Sequence, residues 1–233
     1  MKTLFITGTG TGVGKTVASA WLCRELSEQR HKVAYVKPIQ TGGIPCGEVL
    51  LSVDLEYVKA SAAKMVGTLC CMNFHIPASP HLVAERENRP ISLDHLIEKM
   101  KAFADETQPD YLVVEGAGGI AVPLNNQDEM HDLCKALNAH AIVVSSSALG
   151  TLNHSKLTIN YLQQHGIDQI STILMRPESE LEVIEKDNLL RLTQMAPNLA
   201  CLPHYPGLDS EKGSLPEDFQ ASETHFELMP WTI

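Results

Sequence analysis

Short apolar runs alternate with amphipathic stretches along most of the chain. The apolar runs fall at residues 4–7, 33–38, 111–116, 141–147, 170–175 and 199–203, and each reads as a strand. Pro38 is expected to stop the second of them. Helical periodicity covers 15–29, where Ala18, Trp21, Leu22 and Leu26 share a face, and returns at 54–63, 93–107, 151–165 and 181–195. Ser79 and Pro80 suit the start of a short helix running to Glu85, and Gly166 suits the close of 151–165. The strands are apolar throughout, as in a sheet covered on both faces. Strand and helix repeated in this way predict an α/β fold: a doubly wound, mostly parallel sheet of about seven strands with helices on both sides. No repeat or low-complexity linker divides the sequence. Residues 1–233 are therefore expected to form a single domain, with 207–233 an acidic, aperiodic tail left unassigned.

Composition narrows the classes of function. The 233 residues carry a net charge of −10 and show no Lys/Arg cluster, so no nucleic-acid partner is expected. No apolar run approaches the roughly 20 residues of a membrane span, and residues 4–6 are too short for an export signal. The six cysteines (23, 46, 70, 71, 134 and 201) form no CxxC pair. They read as reduced thiols of a cytoplasmic protein rather than a disulfide framework or zinc site. The ten histidines show no metal-ligand spacing.

The chemistry concentrates in GTGTGVGKT, residues 8–16, between the first strand and the first helix. Glycines let the backbone turn tightly and aim successive N–H groups inward, and the helix start adds partial positive charge. Lys15 can reach β/γ-phosphates, and the Thr16 hydroxyl can ligate Mg²⁺. Five residues separate Gly8 from Gly14, one more than in the common GxxxxGK[ST] loop. LVVEGAGG supplies Glu115 at a strand end, a candidate metal-holding acid, with glycines beside it for close approach to phosphate. Asp54 stands at a helix start, where it is either a second metal-holding acid or an ordinary first-turn acid. Lys37 ends a strand at the side where α/β sheets place ligands, though exposed decoration is the bland alternative. Thr41, in KPIQTGG, either bonds phosphate or serves a turn.

Taken together, TGTGTGVGKT (7–16), KPIQTG (37–42), Asp54, SPH (79–81), VEGAGG (114–119) and LGTLNH (149–154) resemble the dethiobiotin synthetase family over residues 2–206. That resemblance implies an ATP- and Mg²⁺-dependent ligase that joins CO₂ to 7,8-diaminopelargonic acid. It implies Thr16, Asp54 and Glu115 as Mg²⁺ ligands. Lys15 and Lys37 become the cations at the reacting phosphoryl and carbamate, with the Thr11 and Thr41 hydroxyls beside them. Gly12, Val13, Gly14, Val17 and Gly118 join Lys15 and Thr16 around the nucleotide, and Met175 stands near the base. Ser79 and Thr41 lie toward the substrate. Gly150, Thr151, Leu152 and Asn153 hold the substrate carboxylate from a neighbouring subunit, which implies a homodimer. Four positions depart from the family pattern: Gly10 and Gly12 replace acidic loop residues, Ala148 replaces a basic one, and Met175 replaces an adenine-reading Asn. A P-loop switch ATPase of the partitioning kind is the alternative reading. A GTPase is disfavoured because no NKxD motif is present.

Overall fold

The computed structural model describes residues 1–175, 183–195, 199–203, 214–217, 219 and 223–224. Its elements run β1 (Lys2–Gly8), α1 (Lys15–Glu28), β2 (Val33–Gln40), β3 (Ile44–Cys46), β4 (Val49–Leu51), α2 (Val53–Ser61), β5 (Gly67–Asn73), α3 (Pro80–Arg86) and α4 (Leu93–Thr107). They continue with β6 (Tyr111–Gly119), α5 (Met130–Ala136), β7 (His140–Ser146), α6 (Thr151–Gln164), β8 (Ile170–Met175), α7 (Val183–Met195), β9 (Leu199–Leu202) and β10 (Glu223–Thr224). The main sheet has the order β10-β9-β8-β7-β1-β6-β2-β5. Seven of its strands are parallel, and β10 adds to one edge antiparallel. The chain leaves β1 toward β2 and β5, returns through β6, then crosses to β7 on the other side of β1. The carboxyl end of β1 is thus a topological switch point, where open α/β sheets form their ligand crevice.

Strand alternation sorts the core into two layers. Leu4, Ile6, Val33, Tyr35, Tyr111 and Val113 face α1 and α2. Phe5, Ala34, Val36, Leu112 and Val114 face α4, α5 and α6. Both faces are covered, so the strands are apolar throughout. The same alternation sets Lys37 and Glu115 on the α1–α2 side, two residues beyond Tyr35 and Val113. Register places Tyr35 beside Val113, and Ile6 beside Glu115.

Several elements differ from the sequence expectation. Pro38 does not stop β2, which continues to Gln40. Pairing with β6 ends at Val36, and the ladder to β5 joins Lys37 to Cys70 and Ile39 to Met72 without Pro38. A residue lacking an N–H is tolerated where only one neighbour remains. β5 was missed because this edge strand, GTLCCMN, is mostly half-buried and shows no long apolar run. The exposed β3–β4 hairpin and the seven-residue α5 were also missed. The helix expected over 181–195 is described from Val183, and its first two expected residues lie outside the described ones.

Part of the unassigned tail has a defined place. Leu215 and Phe219 are buried in the α1–α2 layer. Arg24 of α1 donates to the Pro216 carbonyl at 2.7 Å and also to the Phe219 carbonyl, and the Leu215 N–H donates to the Ser61 hydroxyl at 2.8 Å.

Candidate functional site

The loop after β1 leads into a helix start with unbonded N–H groups. Gly14 caps α1 in the left-handed region at φ 95°, with no side chain bonded to the helix end. The first helical bond of α1 runs from the Ala18 N–H to the Gly14 carbonyl. The N–H groups of residues 14–17 therefore have no carbonyl one turn earlier to bond, and they form the positive end of the helix dipole. At Gly8, a β-carbon would come within 2.8 Å of Val13, so the loop closes on itself only with glycine there. The Lys15 ammonium folds back to the Gly10 carbonyl at 2.9 Å. Burial lowers its pKa, and the charges of Glu115 and Asp54 offset this only in part.

Beside the loop, four polar side chains from four elements meet. The Thr16 hydroxyl donates 3.0 Å to Asp54 Oδ1 and lies 3.0 Å from Glu115 Oε1. The Lys37 ammonium sits 2.5 Å from Asp54 Oδ2 and 2.8 Å from Glu115 Oε1. Burial opposes the Lys37 charge, but Glu115 and Asp54 outweigh it, so its pKa lies above the ordinary lysine value. Burial likewise opposes ionisation of Asp54, and the Lys37 charge wins, leaving the carboxyl below its ordinary value. From the core side, the Tyr35 hydroxyl donates 2.9 Å to Glu115 Oε2. Burial, then the charge of Glu115, pushes that phenol well above its ordinary range, so it stays protonated.

A cavity of about 580 Å³ opens over this cluster, within the usual range of ligand sites. Thr11, Gly12, Gly14, Lys15, Thr16, Lys37, Thr41, Asp54, Ser79, Glu115 and Gly118 all line it. Other expected residues do not. The side chains of Val13 and Val17 pack into the α1–α2 layer, so their backbone N–H groups are what they offer an anion. Met175 lies against Gly14, where a β-carbon would meet its Cγ at 2.9 Å. Gly150, Thr151, Leu152 and Asn153 form the start of α6 and contribute nothing to this cavity from the same chain. Of the residues not foreseen, Gln40 lines the cavity, accepts from the Ser52 hydroxyl at 2.7 Å and donates to the Thr41 carbonyl at 2.9 Å. Its place inside KPIQTG was the available signal.

The donor set fits magnesium. Thr16, Asp54 and Glu115 offer hard oxygens on one point, and the Lys37 ammonium shows that the place accepts positive charge. Among the described residues, no three acidic, His or Cys side chains cluster as a metal cage. A cation held here shares its coordination with ligand oxygens, as Mg²⁺ commonly does beside phosphates.

A family model described as an AAA domain matches residues 2–212. The ATP-dependent dethiobiotin synthetase BioD of Methanocaldococcus jannaschii is 36% identical over 178 residues, covering 73% of this chain and 78% of the relative. Its namesake in Wolinella succinogenes is 38% identical, covering 70% and 76%. The Anaeromyxobacter dehalogenans protein of that name is 34% identical over 220 residues, covering 92% and 96%. The chain belongs to the dethiobiotin synthetase family.

Membership in the dethiobiotin synthetase family makes it an ATP-dependent ligase and decides against the switch-ATPase reading. Among solved structures, the MinC:MinD complex of Aquifex aeolicus matches with a TM-score of 0.54 at 15% identity, covering 89% of this chain and 83% of that one. A ParA family ATPase from Chlorobium tepidum also gives 0.54 at 15% identity, covering 88% and 84%. These likenesses show that the chain shares the P-loop NTPase fold. Among the described residues, no helix is long and apolar enough to cross a membrane.

Proposed function

We propose that the cavity closes the ureido ring of dethiobiotin from 7,8-diaminopelargonic acid, CO₂ and ATP. One amine adds to CO₂ and loses a proton, giving a carbamate. A carbamate oxygen attacks the γ-phosphorus, ADP leaves, and a carbamic–phosphoric anhydride results. The second amine attacks the carbamate carbon and gives up a proton, and inorganic phosphate departs as the ring closes. No bond to the protein forms at any step, so the side chains act by position and charge.

The N–H groups of residues 14–17 and the Lys15 ammonium hold the phosphates. Thr16, Asp54 and Glu115 hold Mg²⁺, which when bound neutralises phosphate charge. Lys37 stabilises the carbamate and the phosphoryl in transfer, and the Thr11 and Thr41 hydroxyls orient them. Ser79 lies on the substrate side. The start of α6, Gly150 to Asn153, serves a second copy of the chain by taking the substrate carboxylate on its N–H groups. Gly150 caps that helix at φ 99° with no side chain occupying its end, which suits the role.

The observation that carries this reading is the linkage of Thr16, Lys37, Asp54 and Glu115 across one cavity at a helix N-terminus. The test is a coupled assay with each substrate omitted in turn. ATP, bicarbonate and the diamine together yield dethiobiotin and free phosphate. ATP hydrolysis with no ureido product by mass spectrometry overturns the assignment.

A further inference from the structure

Glu115 has no exposed surface, yet three polar side chains reach it. Thr16 at 3.0 Å and Lys37 at 2.8 Å both address Oε1, and both line the cavity. The third, Tyr35, is itself fully buried, does not line the cavity, and donates to the other oxygen, Oε2, at 2.9 Å. Tyr35 and Lys37 are two apart on β2, so they project from the same face of the strand toward the same carboxylate. One end of the carboxylate is tied into the core, and the other is presented to the ligand.

We infer that Tyr35 is a positioning residue that aims Glu115 Oε1 at the Mg²⁺ accompanying the nucleotide. The inference rests on the reading of Glu115 as a metal-holding acid. Without the phenol, Oε2 is a buried oxygen lacking this donor, and the carboxylate gains by turning toward another. Turning moves Oε1 off its aim. Lys37 cannot substitute for the tie, because it binds the oxygen that must face the metal. Outer donors of this kind ordinarily set the orientation of ligating carboxylates.

The test measures how much Mg²⁺ tightens binding of a non-hydrolysable ATP analogue, by calorimetry with and without the metal. Tyr35→Phe keeps the ring and removes only the hydroxyl. It is expected to reduce the Mg²⁺ enhancement about tenfold or more, while metal-free affinity stays within about twofold. It is expected to add nothing in a Glu115→Gln background, since it acts through that carboxylate. Turnover of Tyr35→Phe recovers at high Mg²⁺. A merely structural role predicts instead a loss of metal-free affinity that persists beside Glu115→Gln. Unchanged enhancement in Tyr35→Phe, or the same drop in both backgrounds, overturns the inference. If Glu115→Gln alone leaves the enhancement intact, the reading of Glu115 has failed and this inference falls with it. Should Tyr35→Phe not fold, Tyr35→Met removes the same hydroxyl with an apolar side chain. It is expected to reduce the Mg²⁺ enhancement by a similar factor, and an unchanged enhancement overturns the inference.

Discussion

Lys37 has only 4% of its surface exposed, and an ammonium so buried ordinarily gives up its proton. It keeps the charge here because two carboxylates hold it, and only the loss of both would leave the ammonium buried without an acidic partner in this cluster. Met175 lies nearby at a different kind of contact. Its side chain packs on Gly14, whose positive φ and lack of a β-carbon permit that approach. The family resemblance gives this position to an Asn that pairs with the base, and a thioether donates nothing and accepts weakly. Other nucleoside triphosphates are therefore expected to replace ATP with modest loss. The check is kcat/KM for ATP against CTP. A ratio above about 10³, roughly 4 kcal/mol, means that the base is read by other groups.

The elements that carry the site were the legible ones. β1, α1, β2 and β6 have strong apolar periods, and glycine-rich segments stand beside them, so Thr16, Lys37 and Glu115 were legible as candidates from order and residue type. Tyr35 was not, because an aromatic in a strand reads as core, and only its spacing from Lys37 distinguishes it. β5 hid because an edge strand needs no continuous apolar run. The described tail residues, 214–217 and 219, hid because their contacts lie far away in sequence, on Arg24 and Ser61; together they form a docked segment. Yet it is tied to the two helices that carry Thr16 and Asp54. Phe219 is 1% exposed, and its loss leaves a cavity between elements that cannot readily close. Phe219→Ala is expected to lower unfolding free energy by about 3 to 5 kcal/mol in urea titrations. A change below about 1 kcal/mol shows that the segment does not dock in solution.

The stability of the whole molecule carries a pH signature from a site away from the cavity. His140, at the start of β7, is 7% exposed, and its Nε2 lies 2.8 Å from the Ser171 hydroxyl. Burial pulls its pKa down from 6.5 to about 4. Between those values the unfolded chain takes a proton that the folded chain refuses. The stabilisation is therefore complete above 6.5 and drains away as pH falls toward 4. Allowing for partial solvent screening, the loss by about pH 5 is on the order of 1 to 2 kcal/mol. Asp54 does not contribute in that window, since its lowered pKa keeps its own stabilisation intact until below 3.8. The net charge of −10 acts in the opposite direction, because acidification relieves self-repulsion. The raw pH profile of the parent protein mixes the two effects, and a substitution separates them. In His140→Gln the surface charge is unchanged and the titrating ring is gone. Its unfolding free energy is expected to fall less between about pH 7.5 and pH 5 than that of the parent, by the same 1 to 2 kcal/mol or so. Parallel profiles for the two proteins mean that His140 titrates alike folded and unfolded, and that the interior at the start of β7 admits its charge.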